Sequence, residues 1–395
     1  MEHTPLPLVL FSSDRRKIDW LLCRLTWRRM HGVRRRAGFV LGAALWPLWA
    51  SYLAVRLVAK RGNMIHDRFG VSRLKQWYDQ IAIALFFGRP PHTYYMYGFF
   101  DPVKRRRARD YISPQEFRSI VDTASHPSTV ELFNDKFQFE LECNANTLPV
   151  ATTLILVSEG RLLLSHGEPC LSLPAENLFI KLNSGLGGRG AAAWTWDGSS
   201  YRGHDGRCQT AGALLAELTT RSRNESLLVQ RCINNNSSIA GHFGVGALST
   251  IRILTGRSRV GIVKILCAVF KAPRTNAIVD TLSSGGIGCP VDLGTGELGS
   301  GYTMISSSPL AKHPDTGAPF NAFQLPHWEA TLDLATRAHR IFAGLAFAGW
   351  DIAITDAGPV IVEGNSFPGI ESIQQVHGPL LEDTTFKALC MEFAN

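Results

Sequence analysis

The sequence lacks closely spaced cysteines. Its eight cysteines are scattered singly over 395 residues, and no C-x-x-C pair occurs. Zinc sites and the disulfide frameworks of small secreted domains both depend on regular cysteine spacing. The cysteine pattern therefore indicates neither kind of site and favours a reducing compartment, so we expect a cytoplasmic protein.

Charged residues are scarce, and their signs are unevenly distributed. They make up 19% of the chain against 45% hydrophobic residues, a balance typical of a globular protein. Residues 1–110 hold 21 basic and only 7 acidic side chains, whereas the rest of the chain holds 20 basic and 26 acidic ones. Such a basic block suits an anionic surface such as a membrane. The chain has no base-reading motif, so nucleic acid is not an expected partner.

Long hydrophobic runs are nearly absent, and the single candidate is residues 37–55, which carry no charge. At 19 residues the run is barely long enough to span a bilayer. Basic clusters at 34–36 and 60–61 flank both ends, and the positive-inside rule would place both ends in the cytoplasm. We therefore expect the basic segment at 15–61 to pack against the rest of the protein, or to make peripheral contact with the inner face of the membrane, in preference to crossing it.

Residues 351–362 are expected to form a β-hairpin that carries three oxygen-bearing side chains. Asp351 opens an alternating strand, and a turn precedes the return strand. Glu363 and Asn365 are two residues apart, so they project from one face, and antiparallel pairing could bring Asp351 opposite them. Two carboxylates and an amide oxygen suit Mg²⁺. The alternative is a solvated hairpin whose acids simply face water.

A second candidate site is a strand that leads into a glycine-rich loop. Lys181 lies in the strand at 178–183, the loop occupies 184–190, and another strand follows. The glycines of interest are Gly185, Gly187, Gly188 and Gly190. Glycine lets backbone N–H groups approach phosphate closely, and the lysine adds a point charge. No Lys-Ser/Thr follows the last glycine, so this is not a Walker loop; the failed G-x-G-x-x-G spacing and the lack of a following helix count against a Rossmann site. An ordinary glycine-rich surface hairpin is the alternative.

These segments resemble parts of a known family. Residues 349–355 (Gly-Trp-Asp-Ile-Ala-Ile-Thr) and 362–370 (Val-Glu-Gly-Asn-Ser-Phe-Pro-Gly-Ile) resemble the C-terminal metal-binding signature of the ATP-grasp superfamily. The longer string looks like the sugar-transfer associated ATP-grasp branch, which is related to α-L-glutamate ligases. Further matching pieces occur upstream in the expected order, so the resemblance covers about residues 130–370.

The resemblance implies roles for individual residues. Lys136, in an Asp-Lys pair at a helix start, matches the lysine that contacts the α-phosphate region, and Lys181 would lie beside the phosphates. A buried strand with Gln230 and Cys232 matches the hinge whose backbone holds the adenine edge. Arg252, in a Thr-x-Arg segment, would stabilise charge on the transferring phosphoryl group. A salt bridge on a sheet face is the alternative for Arg252.

The implied fold is α+β, with two lobes clasping ATP behind a basic helical segment. Residues 1–110 would form that segment, 111–230 the N-terminal part and the small lobe, and 231–395 the large lobe with the Mg²⁺ site.

The implied reaction joins a small-molecule carboxylate to an amine, or to a glycan or aminoacyl acceptor. ATP and Mg²⁺ would drive the formation of an acyl phosphate, and attack by the amine would form an amide and release ADP and phosphate. Lys181 and Arg252 would take part in catalysis by neutralising charge. Two alternatives stay open: a phosphotransferase acting on a hydroxyl, and a non-catalytic nucleotide-binding module of a glycan assembly system.

Overall fold

The computed structural model describes residues 27, 33–164, 167–168, 170, 172–185, 188–244, 246–275, 277–280, 282, 285–303 and 308–394. The α-helices are α1 (Val33–Phe69), α2 (Arg73–Phe87), α3 (Thr93–Met96), α4 (Pro102–Arg106), α5 (Pro114–Ala124), α6 (Pro127–Asn134), α7 (Lys136–Ala145), α8 (Ala211–Arg221), α9 (Ser237–Phe243), α10 (Trp328–Ile341), α11 (Ile370–His377) and α12 (Thr384–Ala394). The strands are β1 (Thr153–Ser158), β2 (Arg161–Leu164), β3 (Leu178–Leu182), β4 (Ala192–Trp196), β5 (Tyr201–Gly203), β6 (Cys208–Gln209), β7 (Leu227–Arg231), β8 (Thr250–Arg257), β9 (Val263–Ala272), β10 (Ile287–Val291), β11 (Phe347–Thr355) and β12 (Gly358–Asn365).

The strands form two antiparallel sheets, each drawn from one continuous part of the chain. The first sheet has the order β2-β1-β7-β3-β4-β5-β6, and the second has the order β10-β9-β8-β11-β12. Helices cover both sheets, so the α+β class predicted from the sequence is confirmed.

In the first sheet, side chains along β3 alternate strictly between buried and partly exposed positions. Leu178, Ile180 and Leu182 of β3 are buried in a core that includes Leu214 and Leu218 of α8. Successive strand residues point to opposite faces. Lys181 is therefore held on the face away from that core, and this alternation is what delivers its amine to the site.

The second sheet is buried on both faces in its centre. Every residue of β11 from Phe347 to Ile354 is buried. On one face Trp350 packs with Phe133 and Phe139, which come from α6 and α7. The sequence groups residues 111–150 with the first lobe, but these helices pack into the core of the second sheet because their aromatic side chains fill the space beside Trp350.

The N-terminal region forms a helical layer. α1 and α2 run antiparallel, and the Trp46 indole donates to the carbonyl of Ala84. Residues 15–32 of the basic segment, apart from Trp27, lie outside the described residues. Within the described residues, one helical stretch, Val40–Phe69, is long and apolar enough to cross a membrane by length and composition.

Side-chain caps mark the starts of α5 and α7. Ser113 and Glu116 form a capping box, and each side chain bonds the other's backbone N–H. The helix start predicted at the Asp-Lys pair is confirmed, because α7 begins at Lys136. Asp135 is extended between α6 and α7, and its carboxylate accepts from the backbone N–H groups of Phe137 and Gln138 as an N-cap.

Candidate active site

A cleft lies where β3 of the first sheet faces the second sheet. Its walls come from the start of α7, from β3 and the loop after it, and from β8, β9, β11 and β12. Predicted site residues from both halves of the chain therefore face a shared space.

Lys136 joins the helix start, the glycine-rich loop and the second sheet. Its Nζ donates to the Gly185 carbonyl at 2.7 Å and lies 3.5 Å from Glu363 Oε1. Its backbone N–H donates to the Asn183 carbonyl, and the Asn183 side chain accepts from Phe137 N–H. These bonds tie the first turn of α7 to the loop after β3 and fix where the Lys136 amine points.

Lys181 enters the same space from β3. Its Nζ donates to the carbonyl of Val362 at 3.4 Å, next to Glu363. Burial lowers the pKa of Lys181, and the nearby Glu363 carboxylate opposes that shift, while Lys136 reinforces it. The site therefore holds two amines close to one carboxylate, an arrangement that attracts an anion with several charges.

The predicted metal ligands lie on adjacent strands. Asp351 is opposite Glu363 in the β11–β12 pair and opposite Arg252 in the β8–β11 pair. Asn365 is opposite Gly349, two residues along the strand from Glu363 and therefore on its face. The hairpin prediction thus places the three oxygen-bearing side chains as neighbours.

Asp351 is already paired with two cations. Arg252 donates to it in a fork, with Nε–Oδ1 at 2.6 Å and Nη2–Oδ2 at 2.7 Å, and Lys271 Nζ lies 3.1 Å from Oδ1. Burial alone would raise the pKa of Asp351, but Arg252 and Lys271 hold it well below its usual range. Arg252 thus makes the salt bridge that the sequence left open as an alternative.

The donor set fits Mg²⁺ in chemical type. Glu363 keeps 30% of its side chain exposed towards the cleft, and Asp351 and Asn365 add a carboxylate and an amide oxygen. The Asn365 amide nitrogen is buried and makes no hydrogen bond to the residues that the structure describes. No group of three His, Cys, Asp or Glu side chains is arranged for a metal in that same part of the chain. The site would therefore depend on the amide oxygen and on water, as Mg²⁺ sites commonly do.

The glycine-rich loop joins β3 to β4 as an antiparallel hairpin, as predicted. Gly185, Gly188 and Gly190 all have positive φ angles, and the latter two are at 71°. A Cβ atom at Gly188 would lie 3.2 Å from Val279, in the segment after β9. The loop therefore reaches across the cleft, and Gly188 permits that close approach. Gly187 lies outside the described residues.

The hinge residues are only partly brought to the cleft. The Gln230 side chain lines the inner end and donates to the Ala151 carbonyl and to Thr153 Oγ1. The backbone N–H of Cys232, just after β7, donates to the Asn177 carbonyl at 3.2 Å. The part of Cys232 in holding the adenine edge stays a prediction.

Sequence reasoning missed Lys271 and Glu140. Lys271 is buried and bridges Asp351 and Asp280, at 3.1 and 3.5 Å. Its signal was a lone lysine near the end of the apolar strand β9. Glu140 is buried and accepts from the Thr153 N–H at 2.6 Å, and burial raises the pKa of Glu140. In the sequence it is one acid of a helix, so nothing distinguished it.

A family model described as sugar-transfer associated ATP-grasp matches residues 118–388. No curated protein sequence matches the chain.

Similar solved structures include three synthetases or ligases. For D-alanine–D-alanine ligase from Bacillus anthracis, identity is 12% and the TM-score 0.37, over 68% of this chain and 70% of that one. For carboxyaminoimidazole ribonucleotide synthase from Aspergillus clavatus, complexed with ATP, the values are 12% and 0.35, over 60% and 46%. For the ADP complex of purK, an N5-carboxyaminoimidazole ribonucleotide synthetase, they are 10% and 0.38, over 66% and 53%. This chain thus matches about half the length of the Aspergillus synthase, and such distant likenesses carry no argument about its activity.

Proposed function

Because the chain belongs to the sugar-transfer associated ATP-grasp family, we propose that it is an ATP- and Mg²⁺-dependent carboxylate–amine ligase. The product is an amide formed through an acyl phosphate, with release of ADP and phosphate. The acceptor is a small amine, or an amine on a glycan or aminoacyl group.

The proposal rests chiefly on the meeting of Lys136 and Lys181 with Glu363 in one cleft. The two lysines come from the first half of the chain and the acid from the last tenth. Removing charged groups from water costs free energy unless they pair with one another or with a ligand. A bound triphosphate would supply the negative charge that the two amines lack.

In the proposed reaction, an oxygen of the substrate carboxylate attacks the γ-phosphorus of ATP. The bond from that phosphorus to the bridging oxygen breaks, and ADP leaves. The amine nitrogen then attacks the acyl carbon, loses a proton, and expels phosphate. The amines of Lys136 and Lys181 hold the phosphates, and backbone N–H groups at Gly188 and Gly190 close over them. Mg²⁺ held by Glu363, Asn365 and Asp351 would neutralise phosphate charge.

The test is a screen of carboxylate–amine pairs with the full chain, ATP and Mg²⁺. ADP, phosphate and the amide are measured together by mass spectrometry and a phosphate assay. We expect one pair to give all three in equal amounts. Glu363→Gln should lower the rate by about a hundredfold, since it removes a charge from the reacting centre.

Glu297→Gln is the matched control, because Glu297 is an exposed acid between β10 and α10. It should keep the wild-type rate. A phosphorylated hydroxyl product without free phosphate would replace the ligase with a phosphotransferase. ATP binding with no turnover on any substrate pair would favour a nucleotide-binding module.

A further inference from the structure

Helix α1 carries a wide apolar surface that no described residue covers. We call this surface the apolar band; it consists of Val40, Leu41, Leu45, Leu48, Trp49, Tyr52 and Val55, all of them exposed. Leu48 is 71% exposed. Monomeric proteins rarely expose contiguous apolar patches of this kind unless they bind something there.

The opposite side of α1 is already occupied. Trp46, Ala50, Ala54 and Val58 recur every four residues and are buried. The indole of Trp46 donates to the carbonyl of Ala84 in α2, which fixes this stripe against the neighbouring helix. The apolar band therefore covers roughly half of the circumference of α1, and the other half is core.

The end of α2 enlarges the apolar band. Leu85 and Phe86 are exposed and directly follow Ala84, the residue bonded to Trp46. Exposed apolar side chains of both helices therefore lie at the same end of the helical hairpin.

The charge around the apolar band is of one sign. Arg56, Lys60 and Arg61 are exposed and follow the band on α1. No acidic residue occurs anywhere in residues 33–66, and a run of arginines precedes the band at 34–36. Tyr52 and Trp49 have rings suited to the boundary between headgroups and acyl chains. The partner that fits this pattern has an apolar interior and an anionic surface.

We propose that the apolar band docks on a lipid bilayer that bears anionic headgroups, with α1 lying in the interface plane. The band side chains enter the acyl region, and Arg56, Lys60 and Arg61 contact the headgroups. This peripheral site is independent of the ligase proposal.

The same geometry argues against a helix that crosses the bilayer. By length and composition Val40–Phe69 could cross a bilayer, but one side of it, from Trp46 to Val58, is buried against the protein. Further along, Gln76 of α2 donates to the carbonyl of Gly62 on the buried side of α1. Those polar contacts belong to a folded protein layer, so only half of the helix is available to lipid.

The docked helix is joined firmly to the catalytic body. The Gln374 side chain in α11 accepts from the Ile112 N–H and donates to its carbonyl, each at 2.9 Å, and also donates to the Tyr97 hydroxyl. Arg89, which follows α2, forms a buried ion pair with Glu116 of α5. A membrane bound at α1 would therefore set the orientation of the cleft.

The experiment is vesicle flotation of the full chain. Wild type is mixed with vesicles of phosphatidylcholine containing about a third phosphatidylglycerol, or of phosphatidylcholine alone, at about 0.1 M salt. We expect binding to the anionic vesicles and much weaker binding to the neutral ones. Leu48→Glu should lower the partition coefficient at least about tenfold. Neutralising Arg56, Lys60 and Arg61 to Gln together should lower it roughly a hundredfold.

Val260→Glu is the matched control, because Val260 is 82% exposed at the tip between β8 and β9, away from α1. It should bind as wild type does, and unchanged circular dichroism of Leu48→Glu would show that this variant folds. Wild-type binding by Leu48→Glu, or no binding by the wild type, would overturn the proposal. So would membrane retention of the wild type after alkaline carbonate, which indicates a span. If the wild type instead forms a dimer that Leu48→Glu dissociates, and the wild type does not bind vesicles, the band would be assigned to contact with a second copy of the chain.

Discussion

At the scale of single residues, the cleft is a set of charges that neutralise one another. Arg252 and Lys271 share Asp351, Lys271 also reaches Asp280, and Lys136 lies beside Glu363. Lys136 and Lys181 share the one carboxylate of Glu363, so a ligand with negative charge completes that pairing. A metal that binds Asp351 must instead compete with Arg252 and Lys271.

Lys271 is the residue on which two buried acids depend. Lys271→Met should lower the free energy of unfolding by about 3 kcal/mol, because Asp280 and Asp351 then share too little positive charge. Urea unfolding measures the loss. In a double-mutant cycle, Asp280→Asn should cost less in the Lys271→Met background than in the wild type. Lys264→Met, on an exposed site of the same strand, is the control and should change stability little. Additive losses would contradict the pairing.

His339 makes stability depend on pH. Burial lowers the pKa of His339 to about 4. One ring nitrogen of His339 is hydrogen-bonded to the Leu345 carbonyl, and the other is hydrogen-bonded to the Thr255 hydroxyl. Since the unfolded chain protonates this histidine near pH 6.5, its contribution is complete above that pH. It is lost as the pH falls from about 6.5 to about 4. Urea unfolding over this window should show a loss of roughly 2–3 kcal/mol that His339→Gln lacks; equal pH slopes would contradict it.

At the scale of elements, two hairpins from different sheets build the site. The β11–β12 hairpin presents the acids, and the β3–β4 hairpin presents Lys181 and the glycine-rich loop. Each hairpin needs only local pairing to place its own side chains. The loop also needs backbone freedom, because Gly188 has a positive φ and touches Val279.

Gly188→Ala tests the loop as an element. Alanine in the left-handed region costs about 1–2 kcal/mol locally, and its Cβ would press on Val279. We expect ATP affinity, measured by calorimetry, to fall about tenfold. Gly206→Ala is the control: its φ is +83°, no atom lies within 4 Å of its Cβ, and its turn follows β5 in the same sheet. An equal fall in ATP affinity in both variants would show that the glycine-rich loop takes no specific part in ATP binding.

At the scale of the whole molecule, the N-terminal helical layer packs against α5 and α11, which cover the second sheet. The ATP-grasp fold predicted from the sequence is confirmed by the family model over residues 118–388 and by the two-sheet α+β architecture. The division at residue 110 falls just before Ile112, where Gln374 joins the helical layer to the body. Coupling between layers therefore depends on a few buried polar groups.

Gln374→Leu should loosen the helical layer. It leaves the buried N–H and carbonyl of Ile112 without partners, at a cost of about 2–3 kcal/mol. Limited proteolysis with mass spectrometry should then show early cleavage between residues 88 and 112. Gln115→Leu, at an exposed position of α5, is the control and should cleave as wild type does. Unchanged cleavage of Gln374→Leu would show that other contacts hold the layer.

The sequence by itself determined the features that depend on neighbours in the chain. Period-two alternation placed Lys181 on one face of β3, the Asp135 cap and the capping box at Ser113 marked helix starts, and the spacing of Glu363 and Asn365 put both on one face. The tertiary structure alone decided which charges meet. Arg252 pairs with Asp351, which is 99 residues away in the chain, and Lys271 and Glu140 are buried beside the cleft. Such contacts depend on how the sheets and helices pack, and they leave no local periodic signal in the sequence.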